Sequence, residues 1–390
     1  MQINWPDGLN AAVFLQDYWQ QKPLLIRQAL PDFENPLTPD ELGGLALDDD
    51  IHSRLILRQR ATTEQSHDTW HLRNGPFSEE ELTELPPRDW SLLVSDIEKH
   101  LDGFHQYLEP YRFIPDWRID DLMISYAPTG ASVGAHIDAY DVFLFQASGQ
   151  RQWSISTDPL ASTALIPDID LKILSQFTAT EEWELNPGDL LYLPPGVPHH
   201  GVSMDDNCMT WSVGFRAPMH SALINDINEQ LLQKNNQRYQ DRALQPIHNK
   251  GEIDAQSLDN IKQLWDTATL VETDEFNIAV GRALTQRGEP AAEALPLIAV
   301  EEFQQRLQQQ SVSRSPSSRL AYIPSLTNES NSHAEFFVDG EHHTISLNLA
   351  QQLCASYEWE PGVLQIACVT DSDRACLLTL WQLGVLHTTE

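Results

Sequence analysis

Apolar positions at the start of the chain fall at helical spacing. Between residues 8 and 20, Leu9, Val13, Phe14 and Trp19 lie on or near one face of a 3.6-residue period, so an amphipathic helix is expected. Pro23-Leu24-Leu25-Ile26-Arg27 reads as a short strand. Thr38-Pro39-Asp40-Glu41 supplies an N-cap, a proline at the first helical position and early acids, which predicts a helix over 38–47. Segments 54–58 and 69–73 are strand-like, with polar turn residues between them. From Trp90 to about Leu108, Leu92, Leu93, Ile97 and Leu101 recur at helical spacing and predict a further helix.

From Asp121 to Phe215 the pattern changes to short alternating or apolar runs: LMISYA, VFLFQ, QWSI, WEL, DLLYLP and TWSVGF, separated by Gly, Pro and Asp turns. That spacing predicts an all-β sandwich or barrel. Residues 219 to about 275 return to helical spacing, with Leu223, Ile224, Ile227, Leu231 and Leu232 against a Gln- and Asn-rich polar face. So short and polar a segment cannot hide its own stripe, which points to packing on a neighbour or on a second copy, hence a homodimer. QQQSVSRSPSSRL (308–320) reads as a polar, Ser-rich break and 326–333 as a second loop. A hairpin is expected around Asp339-Gly340, with helical patterns over 347–357 and 371–383. Helix, two-stranded wing and helix predict a small winged-helix-like domain. The expectation is therefore an α+β chain: residues 1–218 with a β-sandwich or barrel core at about 95–218 and flanking helices, a helical dimerisation segment at 219–275, and a C-terminal domain at 276–390.

Charge narrows the partners. Lys and Arg number 24 against 57 Asp and Glu, a net charge of −33. Such a chain repels phosphates, which argues against direct nucleic-acid binding, and would steer a basic partner toward itself. The cysteines Cys208, Cys354, Cys368 and Cys376 form no C-x-x-C pair. The N-terminal residues lack a signal-peptide pattern, and no apolar run reaches the roughly 20 residues of a membrane span, so the cytoplasm is the expected location.

The candidate chemistry begins at Gly134-Ala135-His136-Ile137-Asp138. Residues i and i+2 of a strand face the same way, so His136 and Asp138 can reach one ion. Two similar tripeptides exist, at His100-Leu101-Asp102 and His333-Ala334-Glu335, but the first lies in a predicted helix and the second at a loop edge. Asn186-Pro187-Gly188-Asp189 then launches an apolar strand, Pro194-Pro195-Gly196 bends the chain, and Pro198 fixes the approach to His199. A rigid bend that delivers one His into a barrel is what a distant third ligand requires. Two His and one carboxylate on one face leave positions open for a co-substrate and oxygen, which suits non-haem Fe(II), with zinc as the rival. His200 should point the other way on extended backbone.

The pattern H-I-D, R-x-W and P-G-D-x-L-Y-L-P-P-G-x-P-H resembles the JmjC-type cupin family of 2-oxoglutarate oxygenases, and more closely its bacterial ribosomal-oxygenase branch. Asn4-Trp5-Pro6, Pro39-Asp40-Glu41-Leu42, the run from Trp117 to Ser125 and the run from Ser212 to Pro218 are similar to that branch as well. The likeness covers residues 1 to about 218 and continues loosely beyond. It implies a double-stranded β-helix with Fe(II) on His136, Asp138 and His199, consuming 2-oxoglutarate and O2 and yielding succinate and CO2. It implies hydroxylation of an arginine side chain in the sixteenth protein of the large ribosomal subunit. It also implies that Arg151 grips the far carboxylate of 2-oxoglutarate, assisted by Ser125. Many relatives use lysine there, so arginine is a trait of the branch. Asp120, Asp121, Tyr140 and Asp141, beside the metal strands, are candidates for an arginine pocket. One departure is Thr129-Gly130-Ala131-Ser132-Val133-Gly134-Ala135, less glycine-rich than the branch pattern before the first ligand.

Two other readings stay open on sequence. One is a JmjC hydroxylase or demethylase with another protein target, which product mass would distinguish. The other is a non-enzymatic metal-binding cupin, which 2-oxoglutarate turnover would exclude.

Overall fold

Every short apolar run between Asp121 and Phe215 becomes a strand. The computed structural model describes all residues except 62–67, 233–237, 239–252, 254, 270–271, 287–297, 326–332 and 390. Contacts divide the chain into two units, Met1–Ala217 and Pro218–Glu390.

In the first unit the strands are β1 (Leu24–Ile26), β2 (Ser53–Gln59), β3 (Thr69–Asn74), β4 (Trp90–Val94), β5 (Ile119–Ala127) and β6 (His136–Ile137). They continue with β7 (Val142–Ser148), β8 (Arg151–Ile155), β9 (Glu181–Leu185), β10 (Leu190–Leu193), β11 (Pro198–Ser203) and β12 (Cys208–Phe215). One sheet has eight strands in the order β1-β10-β7-β12-β5-β4-β2-β3, and the other has four in the order β6-β11-β8-β9. Strand β7 shows why its sequence is apolar throughout. Phe143, Phe145 and Ala147 pack into the large outer core with Phe14, while Val142 and Leu144 meet Trp153, Ile155 and Leu185 of the smaller sheet. Both faces are buried, so alternation disappears. This is the mixed helix-and-sheet cupin arrangement expected from the sequence.

The flanking helices are α1 (Ala11–Asp17), α2 (Pro39–Leu45), α3 (Glu79–Thr83) and α4 (Ile97–His100). Asn10 caps α1, and Thr38 with Glu41 forms the capping box of α2. The helix expected over 90–108 is corrected: Trp90–Val94 is a strand, followed by α4 and a 3₁₀ turn at Phe104–Tyr111. Leu92 and Val94 enter the large core while Leu93 packs with Ile56 on the other face. A strand covered on both sides carries consecutive apolar residues that resemble helical spacing.

The second unit contains α5 (His220–Leu232), α6 (Ala255–Thr269), α7 (Thr273–Thr285) and α8 (Val300–Gln309). Then follow β13 (Ser311–Arg314), β14 (Leu320–Pro324), β15 (His333–Val338), β16 (Glu341–Ser346), α9 (Leu347–Ala355), β17 (Glu358–Trp359), α10 (Val363–Ala367), α11 (Asp371–Gln382) and β18 (Leu386–Thr389). The expected hairpin joins β15 to β16, with Asp339 and Gly340 both at positive φ, 50° and 86°. The Ser-rich break at 308–320 is corrected, because it contains β13, paired with β17 and β18. Its serines are polar by composition, yet Val312 and Ser313 are buried. The loop expected at 326–333 lies outside the described residues except for His333, the first residue of β15. Among the described residues no helix is long and apolar enough to cross a membrane.

Candidate metal centre

Strand pairing brings the three ligands together. In the β6–β11 ladder His136 sits directly across from His199, and cross-strand partners share a face. Asp138 follows two residues after His136. Its Oδ2 lies 3.9 Å from His136 Nε2 and 3.6 Å from His199 Nε2. Ligand atoms of all three lie within 4.8 Å of one another.

The backbone around them is fastened. Gly196, at the Pro194-Pro195-Gly196 bend, donates its N–H to the Asp138 carbonyl at 2.8 Å. On the other side, Leu174 N–H donates to the Ala135 carbonyl at 2.8 Å. Gly134 has φ +87°, and a Cβ there would fall 2.9 Å from Ile173 Cδ1, so glycine is required on both counts.

Both imidazoles are oriented by their own chain. His136 Nδ1 bonds the Gly134 carbonyl at 3.0 Å and His199 Nδ1 the Val197 carbonyl at 2.9 Å. A carbonyl can only accept, so each Nδ1 carries the proton and each Nε2 lone pair faces the centre. Burial, with the neighbouring His136 and His200, holds His199 well below the usual imidazole range, so it stays neutral and ready to coordinate. Burial also raises the Asp138 carboxyl, opposed by His136, by a Tyr140 hydrogen bond and by Arg54. A divalent cation would offset that burial cost, and two nitrogens with one oxygen on one face suit Fe(II).

Along the same sheet runs a second set of groups. On β11, His199, Gly201 and Ser203 share a face and pair with Ile155, Trp153 and Arg151 of β8. Arg151 therefore lies four residues, about 13 Å of strand, from the metal ligand. Arg151 is buried, and its Nη2 has no partner. The Trp153 ring stands between, 5.8 Å from the His199 ring and 5.8 Å from Arg151 Cζ, and its Nε1 is also a buried donor without a partner. Buried donors without partners fit a ligand rich in acceptors, such as a dicarboxylate. The sequence reading placed Trp153 on a strand without assigning it a role; the R-x-W spacing, which puts both side chains on one face, was the available signal. Ser125 lies on the opposing sheet, across from Thr210, and its hydroxyl donates to the Thr210 carbonyl at 3.2 Å.

The four candidates for an arginine pocket divide. Asp121 and Tyr140 flank Gly214, where an added Cβ would meet Asp121 Oδ1 at 3.2 Å and Tyr140 Cε2 at 3.9 Å. Tyr140 is partly exposed and hydrogen-bonds the Asp138 carboxylate, so this pair sits beside the metal ligands. Asp141 is fully buried, accepts from Tyr192 Oη at 2.6 Å and Gln20 Nε2 at 2.9 Å, and lies 3.6 Å from Arg118. Its carboxylate is spent on the fold. Asp120 is exposed and shares the β5 face of Leu122 and Ile124, whereas Asp121 shares that of Met123 and Ser125. His200 faces away from the metal, its ring 6.0 Å from Phe177.

Behind Asp121 stands Glu98, a buried carboxyl that the sequence reading missed because it lay in the misassigned helix. It accepts the Leu122 N–H at 2.9 Å. Burial pushes Glu98 up to about 8 and Asp121 up to about 7, and the charges of Asp96 and, on Asp121, of Asp120 add to the rise. A raised folded value means that the stability Glu98 contributes is fully present below about 4.5 and is lost as pH climbs through about 8. Glu98→Gln, which keeps the acceptor for Leu122, is therefore expected to match the parent near pH 5 and to exceed its stability near pH 8, by on the order of a few kcal/mol. Urea unfolding at both values checks this; parallel pH profiles for the two proteins would place the titration elsewhere.

Comparison with known proteins adds to this geometry. The JmjC domain family matches residues 106–223. A ribosomal protein uL16 3-hydroxylase of Escherichia coli (strain K12) is 36% identical over 266 residues, covering 68% of this chain and 67% of that protein. A probable ribosomal oxygenase of Haemophilus influenzae is 39% identical over 225 residues, covering 57% of this chain and 54% of that one. The solved structure of YcfD, a ribosomal oxygenase from Escherichia coli, in complex with cobalt and 2-oxoglutarate superposes with TM-score 0.77 at 28% identity, over 100% of this chain and 99% of that one.

Proposed function

Because this chain belongs to the JmjC-domain ribosomal oxygenases, we propose that it is an Fe(II)- and 2-oxoglutarate-dependent dioxygenase that hydroxylates an arginine side chain of the uL16-type protein of the large ribosomal subunit. The facial triad and the partnerless Nη2 of Arg151 on the same sheet carry this reading. His136, Asp138 and His199 hold the iron, which when bound activates O2 and drives oxidative decarboxylation of 2-oxoglutarate to succinate and CO2. Arg151 takes the far carboxylate, a charge-assisted contact in a site closed to water, and Ser125 adds a hydroxyl from the opposite wall. Asp121 and Tyr140 receive the substrate guanidinium beside the metal and turn one face of the side chain toward it. The net charge of −33 favours a basic ribosomal protein as partner by steering.

Purified protein supplied with Fe(II), 2-oxoglutarate and the uL16-type protein should add the mass of one oxygen atom to an arginine while releasing one succinate. Oxygen found on a histidine, or loss of a methyl group, would move the chain to another JmjC activity. Turnover of neither compound would leave only a metal-binding cupin.

The enzyme acts as a homodimer through its helical segment. The stripe named from sequence is partly covered: Leu223, Ile227 and Leu231 are half-buried on α5. Exposed apolar positions include Ile224 and Leu232 on α5 and Leu258, Ile261, Leu264 and Trp265 on α6, each 47% to 63% exposed. A surface of that kind marks an interface, and obligate ones commonly bury more than about 2,000 Å². Leu258→Glu with Ile261→Glu should convert a dimer to monomers in sedimentation at micromolar concentration. A parent protein that sediments as a monomer would end the idea.

A further inference from the structure

The wall that holds Arg151 contains a residue with no role so far. Arg151 is 3% exposed, yet among the described residues no carboxylate pairs with it. Its Nε instead donates to Cys208 Sγ at 3.3 Å. Cys208 is itself fully buried and opens β12, the strand that also carries Thr210. Ser203, directly across from Arg151, has its hydroxyl committed to the Asp205 carbonyl at 2.7 Å. Trp153 offers only its ring face. Among the described residues, the thiol is thus the side-chain acceptor that meets this guanidinium.

The thiol is itself located. The β7–β12 register slips between Met209 and Thr210, and Gln146 sits at that irregularity. The Gln146 amide nitrogen donates to the Ser148 carbonyl at 2.7 Å and lies 3.5 Å from Cys208 Sγ, while its oxygen accepts from Thr210 Oγ1 at 3.1 Å. The chain of contacts runs from a β-bulge through a fixed amide to the sulfur and on to the arginine. Bulges re-aim side chains in this way.

A neutral, weak acceptor suits the position. A carboxylate against Nε would satisfy the guanidinium charge and compete with any incoming anion. An apolar group would leave Nε buried without a partner and the long side chain free to change rotamer. Sulfur binds Nε, fixes the plane of the fork and leaves its charge uncompensated.

We propose that Cys208 is a positioning residue for the co-substrate: its Sγ holds Arg151 by Nε, so that the Nη end stays aimed at the distal carboxylate of 2-oxoglutarate. This rests on the reading of Arg151 given above. The test titrates 2-oxoglutarate into the Mn(II)-loaded full-length protein by calorimetry, without turnover, for the parent, Cys208→Val, Cys208→Ser and Arg151→Ala. Cys208→Val is expected to weaken 2-oxoglutarate binding about tenfold, the size of one hydrogen bond to a charged group. Cys208→Ser, which restores an acceptor, should return within about threefold of the parent, with Mn(II) affinity unchanged in both. In turnover the loss should fall on KM for 2-oxoglutarate and not on kcat. If Cys208→Val does not fold, Cys208→Ala takes its place in the same comparison. Parent-like binding in Cys208→Val beside lost binding in Arg151→Ala would overturn the role of Cys208 and leave Arg151 standing. Equal losses in the Val and Ser variants, or a parallel fall in Mn(II) affinity, would also overturn it, since the thiol would then only fill space. Parent-like binding in Arg151→Ala would remove the reading on which it rests.

Discussion

Replacing His136 or Asp138 with alanine is expected to abolish 2-oxoglutarate decarboxylation and substrate hydroxylation together. Two ligands cannot hold a divalent ion in a facial geometry, and the three donors here lie within 4.8 Å of one another, joined by no further His, Cys, Asp or Glu among the described residues. Loss of a supporting hydrogen bond alone typically costs about 10–100-fold in metal affinity, so loss of a ligand should exceed that range. Manganese titration followed by electron paramagnetic resonance reads the affinity, and succinate release reads the chemistry. The overall fold should survive, because both side chains are only partly buried and lie outside the apolar clusters. Near-parental succinate production by either variant would refute the metal assignment.

Arg151→Ala is expected to leave metal binding nearly intact and to raise the 2-oxoglutarate requirement steeply. A desolvated carboxylate that loses its only cation costs about 3–5 kcal/mol. That is on the order of a few hundred- to a few thousand-fold in affinity. Lysine at this position should recover only part of the loss, since an ammonium cannot reach Cys208 and a carboxylate with one planar fork. Unchanged co-substrate affinity in the alanine variant would take Arg151 out of the site.

Both substitutions could be chosen from the sequence, for identifiable reasons. His136 and Asp138 are two apart on a strand, and their common face follows from the pleat alone. Arg151 and Trp153 obey the same rule. The bend before His199 is written in proline and glycine, whose backbone limits act locally. The misreadings have an equally definite cause. Trp90–Val94 is covered on both faces, so it lost the alternation that marks a strand and was read as a helix. Glu98 disappeared inside that error. Asp120 and Asp141 were grouped with Asp121 and Tyr140 because they are neighbours in sequence, yet Asp120 lies on the opposite β5 face from Asp121, and Asp141 is bonded by Tyr192 and Gln20 beside Arg118.

The sequence by itself determined the turns, most strands, the helix caps and the identity of the donor atoms, because each depends on residues within a few positions of one another. Only the tertiary structure decided which donors meet. The β6–β11 register sets His136 opposite His199, and a slip of one residue would turn His199 away from the ion. Beside the register slip between β7 and β12, Cys208 meets Arg151 of the other sheet. Burial decided the charge states, holding His199 neutral and raising Glu98, because desolvation depends on what the rest of the chain packs around a group.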